Sequence, residues 1–149
     1  MKRRATVLGV AISLWATAAL AQNRNFAGNW IVDSERSPGG IQARSGAVGY
    51  EPGVTPPLAI AMDSTTITVG SSTYKLNDTV KFEGTAGTAT AKTSWKGDKL
   101  VIERTDPGGR PAVTTTTFYL DGTSLVRELS FVARDGGEPR VIKTYYKRS

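Results

Sequence analysis

The chain contains neither cysteine nor histidine. Without cysteine no disulfide can form, so the fold must rest on its core and its hydrogen bonds. A thiol nucleophile is excluded as well. Without histidine there is no imidazole base, and neither a Ser-His-Asp triad nor a Cys-His pair can be assembled. The two absences together rule out zinc sites built on those ligands. A carboxylate-only site for a hard cation would need calcium-type spacing, and no loop has it. No metal and no cofactor is therefore expected.

Concentrated charge is lacking too. The 149 residues hold 19 Lys and Arg against 13 Asp and Glu, a net of +6. Three of those cations, Lys2, Arg3 and Arg4, stand at the very start and lead into a short apolar stretch, Val7 to Leu14. Ala19-Leu20-Ala21 then reads as a cleavage site, so residues 1–21 are expected to be an export signal. The mature chain would start at Gln22 and be periplasmic or secreted, with a net charge reduced by those three cations to +3. The remaining cations are scattered among carboxylates, without the basic stripe that nucleic-acid binding requires. No later segment is apolar enough to span a membrane, and no cysteine at the cleavage site offers a lipid anchor. Residues 22–149 have the length of one domain with one core.

What is present is alternation. Leu58, Ile60 and Met62 alternate with small residues, and Thr66-Ile67-Thr68-Val69 follows. Short period-two segments recur to the C-terminus: around Tyr74 and Leu76, around Val80 and Phe82, then over 88–95, 99–104, 112–121, 124–133 and 140–147. With residues 26–33 they make about ten strands. Gly70-Ser71, Asn77-Asp78, Gly97-Asp98 and Asp121-Gly122 supply turn chemistry between them. Such tight links predict an all-β fold: an antiparallel up-and-down meander closed into a barrel of about eight to ten strands, with the first strand beside the last. An open β-sandwich is the alternative. Asp33-Ser34-Glu35-Arg36 is predicted to cap one helical turn. Residues 37–57 are rich in Gly and Pro and read as an irregular loop, either functional at the barrel mouth or a plain linker.

Several residues stand out as site candidates. Trp95 ends the small-residue series Ala89, Ala91, Thr93, a face that either lines a cavity or is an ordinary packed wall. Arg127 shares a strand face with Leu125, Leu129 and Phe131. If that face is inward, the guanidinium needs an anionic partner: a ligand carboxylate, or Glu103 from inside. If Val126, Ser130 and Val132 are inward instead, Arg127 is a surface residue. Glu103 and Glu128 are the carboxylates that a hydrolase would use, given a cleft and one raised pKa.

Near the start of the expected mature chain stands Phe26-x-Gly28-x-Trp30-x-x-Asp33, with Ser37 four residues on. Gly allows close backbone approach, and Trp can plug a barrel end. With the meander that follows, this motif resembles the lipocalin-like (calycin) barrels. It is closest to uncharacterised bacterial secreted proteins that open F-x-G-x-W-x-x-D-x-x-x-S and continue with a Pro-rich lead, here Pro56-Pro57-Leu58. The resemblance covers about residues 25–147, though the T-D-Y signature of lipocalins is missing. It implies a cation from the last strand on the Trp30 ring, either Lys147 or Arg148. The fatty-acid-binding branch of these barrels uses an interior Arg and Tyr, which Arg127 with Tyr145 or Tyr146 would reproduce. Residues 37–57 do not read as that branch's helical lid.

The expectation is a non-enzymatic binding protein for a small, mostly apolar or amphiphilic ligand. Arg127 would meet the head, and Leu129, Phe131, Phe118 and Trp95 the tail. The alternative is an interaction barrel with a filled core, acting on a protein partner as an exported protease inhibitor or envelope accessory protein. A carboxylate-based enzyme stands third. N-terminal sequencing of the protein purified from its own host should begin at Gln22; a chain still starting at Met1 in the membrane fraction would refute export by cleavage.

Overall fold

The computed structural model describes residues 25–37, 57–84, 87–107, 113–132 and 137–149. The expected export signal and residues 38–56 of the Gly/Pro-rich stretch lie outside them. The described residues contain no helix. They form ten strands: β1 (Gly28–Val32), β2 (Leu58–Met62), β3 (Thr66–Val69), β4 (Ser72–Lys75), β5 (Thr79–Gly84), β6 (Gly87–Lys96), β7 (Lys99–Thr105), β8 (Val113–Asp121), β9 (Ser124–Val132) and β10 (Pro139–Arg148).

All pairings are antiparallel, in the order β4-β3-β2-β1-β10-β9-β8-β7-β6-β5. This is the expected meander, with β1 beside β10. The barrel is nearly closed: β4 and β5 lie side by side without a ladder between them. Thr93 on β6 bridges that seam. Its amide extends the β5–β6 register by donating to Asp78 O, and its hydroxyl crosses to β4 by donating to Lys75 O. Tyr74 and Phe82 meet edge to face across the same seam, with ring centroids 5.6 Å apart.

Alternation decides what is inside. Trp30, Ile60, Ile67, Ala91, Leu100, Ile102, Phe118, Leu125 and Tyr146 form the buried core together with Phe26, which precedes β1. The turns are as their residues dictate: Asn77 takes φ +57°, and glycines take positive φ at 70, 97 and 122. In the β2–β3 turn, Asp63 accepts hydrogen bonds from the amides and hydroxyls of Thr65 and Thr66. These donors hold its carboxyl down at about 2. Residues 34–36 are a turn and not the expected helical turn. Asp33 still caps it, accepting from the Glu35 and Arg36 amides.

The Phe-Gly-Trp motif closes the barrel. Trp30 is 1% exposed, and its indole N–H donates to Phe26 O at 2.9 Å. The Arg148 guanidinium lies over the Trp30 ring, 4.6 Å from its centroid, and donates to Ala27 O. Of the two candidate cations, β10 therefore presents Arg148, while Lys147 faces outward. Gly28 sits at φ +142°, where a Cβ would stand 2.6 Å from an Arg148 nitrogen. Asp33 and Ser37 complete the motif from the outside. The Ser37 hydroxyl accepts from the Tyr145 amide at 2.8 Å and donates back to its carbonyl.

Gly28→Ala should lower stability by at least about 1–3 kcal/mol from backbone strain alone, with displacement of Arg148 adding to it. Urea denaturation followed by tryptophan fluorescence measures this directly, and an unchanged midpoint would refute the closure role.

Candidate functional site

The registers of β6 to β10 place the inner face in rows, because directly opposed residues share a face. One row runs Trp95, Leu100, Phe118, Arg127, Thr144. The next runs Thr93, Ile102, Thr116, Leu129, Ile142, and the one beyond it Ala91, Arg104, Thr114, Phe131, Arg140. On the other side of the first row, Leu120, Leu125 and Tyr146 stand together. Arg127, Leu129, Phe131, Phe118, Trp95 and Tyr146 are thus brought onto one wall of the interior. Leu125 and Phe118 are buried core, which settles Arg127's face as inward. Trp95 also reaches the barrel's closing motif, its ring 5.8 Å from that of Phe26.

Three expectations are corrected. Tyr145 lies on the outer face, opposite Val126, with the Arg36 guanidinium 4.1 Å from its ring centroid. Adjacent strand residues cannot both point inward, so Tyr146 alone is left to the interior. Glu103, the proposed internal partner of Arg127, is exposed on the outer face opposite Thr115. Glu128 is outward as well, so the carboxylates of the hydrolase reading both leave the interior.

Arg127 is half-buried, and its Nε is sealed from solvent with no hydrogen-bond partner. The Oγ1 of Thr144, directly opposite on β10, is in the same condition, in a residue that is 0% exposed. Sequence reasoning missed Thr144, because threonine in a strand reads simply as a β-branched residue that fits the pleat. The interior row thus carries a guanidinium N–H and a hydroxyl on directly opposed residues, both closed to solvent and with no hydrogen bond between them.

Charge is sorted by wall. In the described strands every lysine and every carboxylate faces outward, whereas the arginines 104, 127, 140 and 148 face inward. A guanidinium is planar and less strongly hydrated than an ammonium, and so tolerates an interior wall better. Most inner arginines are engaged. Arg104 is paired with Asp106 at 2.9 Å and lies over Phe82, and Arg148 is held on Trp30. Arg127 forms no ion pair or hydrogen bond among the described residues.

The outer face carries its own cluster. Val126 is outward yet 0% exposed, between Tyr119 and Tyr145 in register. The Tyr119 hydroxyl donates to Glu128 at 2.6 Å, and Lys143 pairs with the same carboxylate oxygen at 2.8 Å. Lys99 lies 4.3 Å from the Tyr119 ring centroid. Arg36 ties the turn after β1 to this wall through Asp121, 2.7 Å away, and Ser124. Lys143 and Tyr119 together pull the Glu128 carboxyl below its ordinary value, while Glu128 pushes Lys143 upward. This is a clasp on the outside of the β8–β10 wall.

No protein-family model matches the chain, and no curated protein does.

The clasp has a pH signature. Because the folded pKa of Glu128 is depressed, its stabilisation is complete above the ordinary value of 4.5 and is lost as pH falls through the lower folded value. Glu128→Gln should flatten the acid limb of a plot of thermal midpoint against pH and lower the midpoint near neutrality. An unaltered acid limb would remove Glu128 from the clasp.

Proposed function

We propose that this is an exported, non-enzymatic binding protein that holds one small amphiphilic ligand inside a lipocalin-like barrel. The observation that carries the reading is the buried, partnerless Nε of Arg127 on the inner wall. A donor N–H sealed from water without a partner costs about 1–3 kcal/mol. Among the described residues no carboxylate stands on the strand faces next to Arg127. An anionic head at this position, with an apolar tail along Phe118, Leu129, Phe131 and Trp95, supplies the missing partner. A barrel of about this strand number has an interior suited to side chains or one small ligand. The Arg148–Trp30 contact supports the lipocalin-like assignment, since many lipocalins place a cation in the same way on the Trp of G-x-W. The export part of this reading is supported by the signal-like sequence of residues 1–21.

The alternative, an interaction barrel acting on a protein partner, draws on the exposed Val113, Val132 and Val141. All three face outward on β8, β9 and β10. A filled interior with no retained molecule would favour it.

Native mass spectrometry of the protein from its own host tests for a retained ligand. In parallel, Arg127→Leu should weaken binding of a fluorescent long-chain carboxylate at least about tenfold, the loss of one charge-assisted contact. Its thermal midpoint without ligand should be no lower than that of wild type, because an unpartnered buried donor is removed. Equal probe binding by both proteins would overturn the reading.

A further inference from the structure

We infer that Thr144 is a second anchoring residue for the ligand head, and that the head is a monocarboxylate. The inference rests on the amphiphile-binding reading above. Arg127 Nε and Thr144 Oγ1 are the buried side-chain polar atoms that lack a partner among the described residues, and they are direct cross-strand neighbours. The two other buried threonine and serine hydroxyls among the described residues are satisfied. Thr93 donates to Lys75 O, and Ser37 is bonded to the Tyr145 backbone. Two adjacent orphans are therefore a local feature and not a general looseness.

Thr144 is fully buried, so its bare hydroxyl bears the whole desolvation cost. Valine has the same shape and would carry no such cost. A residue that breaks a local rule in mid-strand, with nothing nearby to compensate, marks a site of function. Both atoms are closed to water as the side chains stand, so a head enters only as the half-exposed Arg127 side chain moves aside; its N–H and the rotatable O–H of Thr144 then offer two donors, matching the two oxygens of a carboxylate. The charge count agrees. Arg104 is neutralised by Asp106, Arg148 is held on Trp30, and Arg140 is engaged by an interaction of its own. Arg148 keeps its charge but is held on the Trp30 ring away from this row, so the row itself carries a single cation, Arg127, which suits a monoanion better than the double charge of a phosphate monoester.

The test compares wild type, Thr144→Val and Thr144→Ser, each with three probes of equal chain length: a carboxylate, its methyl ester and an alkyl phosphate. Thr144→Val should melt a few degrees higher without ligand, because the orphaned hydroxyl is gone. It should also bind the carboxylate roughly tenfold more weakly, while binding the ester as wild type does. Thr144→Ser should retain carboxylate binding. A Thr144→Val protein that melts lower, or that binds the carboxylate as well as wild type, overturns the role of Thr144. Tighter binding of the phosphate by wild type overturns the monocarboxylate. Wild type that binds none of the probes refutes the amphiphile reading itself.

Discussion

The contact between Arg148 and Trp30 is the constraint from which the rest of the barrel follows. β1 is only five residues long and has few ladder bonds of its own. It is held against β10 by a cation stacked on its tryptophan, and the guanidinium fits because residue 28 has no side chain. Once β1 is fixed to the end of β10, the register Trp30 to Arg148 sets which residues of β10 face inward. That parity then carries across the ladders to Arg127, Phe118, Leu100 and Trp95. A one-residue slip at this junction would exchange the two faces of β1 relative to the wall. Trp30 would then leave the interior, and Arg148 would lose the ring on which it is stacked.

The same parity separates the two kinds of cation. Lysines lie where water can hydrate them, and arginines lie where aromatic rings or carboxylates can. Arg148 has Trp30, and Arg104 has Phe82 and Asp106. Arg127 has Phe118 opposite it and Thr144 on the other side, and neither satisfies its Nε. The wall is thus consistent in its hydrophobic pattern and inconsistent at one row. That row is where the structural and functional demands on the sequence diverge.

Much of this was legible in the sequence, and the parts that were not share a cause. Period-two alternation and turn residues are local properties, so the strands and the antiparallel meander could be read directly. The face of Arg127 could not, because Leu125, Val126, Leu129, Phe131 and Val132 put apolar groups on both sides of β9. Val126 is as buried as Leu125, yet it is covered from outside. The cover depends on Tyr145 and on a turn tethered by Arg36 and Ser37, contacts between residues far apart in the chain. Choosing between Lys147 and Arg148, or between Tyr145 and Tyr146, likewise required a register that only pairing with β1 defines. Thr144 was invisible because its significance is the lack of a partner, which no residue type announces.

The seam between β4 and β5 makes the same point about turns. Leu76-Asn77-Asp78 has the chemistry of a hairpin, and Asn77 adopts the positive φ that such a turn needs. A turn of this kind normally hands its two strands directly to a ladder. Here they part, and Asp78 O is taken by the amide of Thr93 from β6. Thr93 Oγ1 takes Lys75 O in the same way, so one residue satisfies groups on both sides of the seam. The cylinder is completed there by Thr93 and by the Tyr74–Phe82 ring pair, with Arg104 over Phe82 from the neighbouring wall. Elsewhere around the barrel, separation would have to break a row of backbone bonds. At this seam it would break the hydrogen bond from Thr93 to Lys75 O, the Tyr74–Phe82 ring contact and the Arg104–Tyr74 interaction, which makes this the line along which the barrel wall is least cooperatively held.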